Sequence, residues 1–100
     1  IQEAAGMFDR VGIMNRGRLI VEQDVGDLLD ETWLLTVPAE HQKLLPELAI
    51  IQRREMGPEI LFTVKGREHE IGNRLHGMIP SLRFRLDGLS LEDIFVAYTS

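Results

Sequence analysis

The sequence predicts an α+β fold. It reads as a ferredoxin-like β-α-β-β-α-β unit, an antiparallel sheet with helices on one face, preceded by a helix-hairpin-helix segment and followed by a C-terminal helix. Three observations carry this. Leu82, Phe84 and Leu86 alternate with Arg83, Arg85 and Asp87, and Ile60, Phe62 and Val64 alternate with Leu61, Thr63 and Lys65. Such alternation marks strands with one buried face. Ile71, Leu75 and Met78 form a single stripe at helical spacing. Between these signals, Pro38, Pro46, Gly57-Pro58 and Pro80 place breaks where elements must end.

Taken in order, Ile1 to Phe8 has no cap and reads as the last turns of a helix that begins upstream, so the chain is expected to be a piece of a longer polypeptide. Val11 and Ile13, then Leu19 and Val21, lie on two short runs around Asn15-Arg16-Gly17-Arg18, a tight-turn sequence. Asp24 is placed to cap a short helix with Val25, Leu28 and Leu29 on one side. A hairpin alone is marginal in water. Its apolar residues Met7, Phe8, Val11, Ile13, Leu19, Val21, Leu28 and Leu29 are therefore expected to lie exposed in a monomer and to drive dimerisation.

From Trp33 the pattern changes. Trp33 to Val37 is a β-prone run, 39–45 a helix, Ala49 to Glu55 a strand, Met56 to Glu59 a turn, and 67–78 a helix. Ser90 is placed to cap a last helix, with Asp93 three residues on. Leu91, Ile94, Phe95 and Tyr98 then make an apolar stripe. The division is into two domains, 1–31 and 32–100.

The chain has 100 residues, enough for one core. No apolar run approaches the roughly 18 residues of a membrane helix. The net charge of -5 is local: 1–20 carry +1, 21–32 carry -5 and 33–100 carry -1. There is thus no chain-wide basic footprint for nucleic acid, although Arg53, Arg54, Arg83 and Arg85 can form a local patch. Cross-strand pairing with acids is the expectation for Arg83 and Arg85. Phe62 and Phe84 sit among alternating apolar neighbours and read as core rather than RNA-stacking platforms.

Catalytic patterns are missing. With no cysteine there is no thiolate metal site or cysteine nucleophile. The nine glycines never fall in a phosphate-loop or dinucleotide spacing. His41, His69 and His76 are too scattered to share an ion, and Ser81, Ser90 and Ser100 lack triad partners. The acidic run Glu22 to Glu31 reads as a solvated face.

Two stretches resemble a known family. Glu3-Ala4-Ala5-Gly6-Met7-Phe8-Asp9-Arg10-Val11-Gly12-Ile13 with Asn15-Arg16-Gly17-Arg18-Leu19-Ile20-Val21-Glu22 resembles the tail of an ABC transporter ATP-binding subunit. There, E-A is followed by a D-R-hydrophobic strand, a basic-Gly-basic turn and a second strand. Leu91-Glu92-Asp93-Ile94-Phe95 resembles the L-E-D-hydrophobic-F ending of exporter-type subunits, in which a small accessory domain separates the two stretches. Gln23 replaces a frequent Gly, and Gly6 stands where Glu or Ala is usual.

The resemblance implies that 1–31 end an ATPase core and that 32–100 form a regulatory or dimerisation domain. It implies a parent that binds ATP and Mg and hydrolyses ATP to power export, with all catalytic motifs upstream. The chain itself is then no enzyme and holds no cofactor or metal. Implied partners are the ATPase core, a second ATPase subunit in a homodimer and, through the parent, a membrane permease, but no nucleic acid. The implied location is cytoplasmic, peripheral to the inner membrane. Interaction candidates are Val11, Ile13, Leu19, Val21, Leu91, Ile94, Phe95 and Tyr98. The competing reading is a small-ligand-sensing regulatory domain, by fold analogy.

Overall fold

The computed structural model describes residues 10–44 and 48–99. The predicted N-terminal helix, with Met7 and Phe8, lies outside them. Strands β1 (Arg10–Asn15) and β2 (Arg18–Asp24) form an antiparallel hairpin. Its two-residue loop is Arg16-Gly17, at φ 54 and 77. Positive φ at both positions is what a type I′ turn demands, and Gly17 takes it without strain. Pairing runs from Arg10 opposite Asp24 to Asn15 opposite Arg18, with a bulge in β2 at Ile20.

Helix α1 (Val25–Asp30) follows directly. Asp24 does stand at its N-cap position but its side chain makes no capping bond. It turns back across the hairpin to Arg10, at 3.4 Å. A partner charge on the neighbouring strand outcompetes the free amides of a one-and-a-half-turn helix. At the other end, the Thr32 hydroxyl donates to Leu28 O at 2.7 Å and Trp33 Nε1–H to Asp30 O at 3.0 Å.

The main sheet contains β3 (Thr32–Pro38), β4 (Ala49–Met56), β5 (Glu59–Lys65) and β6 (Arg85–Gly88). Its order is β4-β5-β3-β6 and every neighbouring pair is antiparallel. This is the ferredoxin-like strand order. Helix α2 (Glu68–Met78) covers one face and α3 (Leu91–Thr99) closes the described chain. Leu35 and Val37 of β3, Ile60, Phe62 and Val64 of β5, and Ile71 and Leu75 of α2 make the larger core. Period-2 alternation then sends Leu34 and Thr36 to the opposite face.

Two elements differ from the sequence reading. The first crossover is a 3-10 helix, Ala39–Leu44, rather than an α-helix. Only seven residues separate Pro38 from Pro46, too few for a well-propagated α-helix. The last strand is shorter than its alternation suggests. Its ladder stops at Thr36 opposite Arg85. Upstream, Leu82 N–H donates to Ile79 O at 3.1 Å, a turn next to Pro80 that buries Leu82 in the core instead of extending the strand. Phe84 packs partly buried against this core, with the His76 ring 5.0 Å away, and Phe62 is buried in it.

Candidate functional site

The two ends of the described chain meet. Ile13 of β1, Leu28 of α1 and Ile94 of α3 form a second core, with Val11, Val21, Leu29, Leu91 and Tyr98 packed around it. Ile13 and Ile94 are both 0% exposed. Fully burying a side chain of this size stabilises by about 1.5–3 kcal/mol. The hairpin is therefore not bare, which corrects the expectation that Ile13 and Leu28 lie exposed. Its inner face has found α3, about 80 residues along the chain.

Six of the eight interaction candidates lie in this second core: Val11, Ile13, Val21, Leu91, Ile94 and Tyr98. The other two point outward. Leu19 is 55% exposed on the outer face of the hairpin, and Phe95 is 48% exposed on α3. Between β1 and α3 opens a cleft of about 340 Å³, lined by Val11, Gly12, Ile13, Leu91, Glu92 and Phe95. Its wall is strand β1, which pairs only with β2 among the described residues. The cleft thus combines an apolar hollow with a strand edge whose free amides and carbonyls seek partners.

Local sequence sets this geometry. The Ser90 Oγ accepts the Asp93 N–H at 3.1 Å, fixing the start of α3 as its sequence suggests. Glu92 and Asp93 in the first turn complement the helix dipole. At the other end the Thr99 hydroxyl donates to Phe95 O at 2.9 Å. Gly12 leaves room for the Leu19 side chain: a Cβ there would stand 3.0 Å from Leu19 Cδ1. Burial raises the Tyr98 phenol above its ordinary pKa.

Met14, Ile20 and Val96 add to the exposed apolar surface and were not singled out by sequence. The available signal was Met14 falling one residue out of phase with Val11 and Ile13. Arg85 pairs with Asp87 two residues along its own strand, at 2.8 Å, not across strands as expected. Arg83 makes no ion pair among the described residues. Nor do those residues hold a group of three or more His, Cys, Asp or Glu side chains able to bind a metal. The cleft offers apolar surface with one carboxylate, Glu92, among its lining residues. None of the described helices is long and apolar enough to cross a membrane. No family model, curated protein or solved structure matches the chain.

Proposed function

We propose that this chain is the C-terminal part of an exporter-type ABC transporter ATP-binding subunit, and that the β1/α3 seam is its docking surface. In this reading 1–31 complete the ATPase core and 32–100 form an accessory domain that mediates or regulates contacts between two ATPase subunits. ATP and Mg bind upstream, hydrolysis powers export through a membrane permease, and the assembly sits on the cytoplasmic side of the inner membrane. The present residues contribute recognition, not catalysis.

One observation carries the reading. The two stretches that resemble the family, around Arg10–Glu22 and Leu91–Phe95, share one apolar core although the whole accessory sheet lies between them in sequence. Beside that core they leave an open strand edge and an apolar cleft. Exposed apolar surface of this kind marks a place another protein surface covers. The test is removal of 32–100 from the full-length subunit. ATPase activity, transport and subunit dimerisation should change together; three unchanged readouts overturn the proposal.

A further inference from the structure

A second cleft, far from the β1/α3 seam in chemistry, lies on the face of the main sheet opposite α2. Helix α3 covers one end of that face, where Asp93 and Val96 share a hollow with Leu34, Gln52 and Thr63. The other end is uncovered. There a hollow of about 220 Å³ is lined by Thr36, Pro38, Glu59, Arg83, Phe84 and Arg85. Liquid water occupies about 30 Å³ per molecule, so this space holds roughly seven non-hydrogen atoms.

Three features set this hollow apart. Its floor is Thr36, only 4% exposed, whose Oγ1 is the one buried side-chain polar atom without a hydrogen-bond partner among the described residues. An unpaired buried hydroxyl costs stability, and such groups call for a missing partner. Its positive side is Arg83 and Arg85, which both line the hollow, Arg85 from the first position of β6 and Arg83 from the segment just before it. Asp87 holds the Arg85 guanidinium in place at 2.8 Å. Its negative side is Glu59. Glu59 pairs with Pro38 on one flank of β3, while Arg85 pairs with Thr36 on the other. Glu59 and Arg85 therefore stand two strand spacings apart and two residues out of step along β3, roughly 11–12 Å at the backbone, with Thr36 between them.

We propose that this hollow binds a small zwitterionic amino acid, its carboxylate on Arg83 and Arg85, its ammonium on Glu59 and its body over Thr36. A guanidinium pair matches a carboxylate through directed donors. Glu59 rejects a plain anion and rewards a cationic group, so neither half of the ligand alone satisfies the site. The Thr36 hydroxyl gains its partner when the carboxylate arrives. The site is independent of the docking seam, and neither stands on the other.

The experiment is a thermal-shift titration of the full chain with each protein amino acid in turn, at constant ionic strength, with acetate, ethylammonium and inorganic phosphate as controls. At least one small amino acid should raise Tm in a saturable, dose-dependent way, and the three controls should not. Thr36→Val should raise the ligand-free Tm by about 4–8 °C and abolish the ligand shift. Arg83→Gln, on the exposed rim, should leave the ligand-free Tm unchanged and abolish the shift. The proposal is overturned if no amino acid stabilises the chain, if acetate or phosphate stabilises it equally well, or if Thr36→Val lowers Tm.

Discussion

The main sheet and the terminal hairpin solve the same problem differently. Each has apolar faces to cover and strand edges to protect. The main sheet covers its inner face with α2 and buries nine apolar residues in one cluster. Its long edge strand β4 carries Arg53, Arg54 and Glu55 and a register shift near Ile51, devices that discourage further pairing. The hairpin buries only Ile13, with Leu28 and Ile94 beside it. Its β1 edge has a charge only at Arg10, and Met14 on β1, Leu19 and Ile20 on β2 and Phe95 on α3 stay exposed. The first unit encloses a large core, although Ile50 and Met56 of β4 stay exposed. The second has a small core with an apolar cleft open beside it.

This contrast can be broken at several points. The largest effect is expected in the main core. Phe62→Ala should cost about 3–5 kcal/mol and unfold the whole chain at low urea, because the hairpin has too little core to stand alone. Ile94→Ala should cost about 2–5 kcal/mol but act locally. Amide exchange should become fast around Ile13 while Leu35 and Phe62 stay protected. Joint loss of protection would make the two regions one cooperative unit.

How much of this was visible in the sequence differs between the two units. Alternation in β5, the stripe in α2 and the proline breaks specified the ferredoxin-like order, because each signal is local and one-faced. The partner of α3 was not legible. Leu91, Ile94, Phe95 and Tyr98 read as one uniform stripe, yet Ile94 is fully buried and Phe95 is half exposed. Which part of a stripe is covered depends on what packs against it. Asp24 failed as a cap for a similar reason, since its choice of Arg10 is a cross-strand event. Thr36 gave no signal either. A threonine on the polar phase of a strand is ordinary, and only the packed sheet reveals its unpartnered hydroxyl.

Smaller effects sharpen the comparison. Ser90→Ala removes the α3 cap and should cost about 1 kcal/mol, read as a lower urea midpoint with an unchanged slope. The Tyr98 phenol is held above its ordinary pKa by burial. Its stabilising contribution is therefore complete below the unfolded tyrosine pKa and is lost as pH rises through the folded value. Tyr98→Phe should flatten the alkaline end of a stability-versus-pH curve; an unchanged curve would remove this role. Asp87→Asn, in an exposed ion pair, should change stability by less than about 1 kcal/mol.

The central claim is that the β1 edge and its cleft are covered in the assembled subunit. Hydrogen exchange tests it most directly, at the β1 amides between Val11 and Met14 that do not bond to β2. These amides should exchange freely in the 100-residue chain and at least an order of magnitude more slowly in the longer subunit proposed above, with Phe95→Asp abolishing the difference. Equal exchange in both would contradict the account.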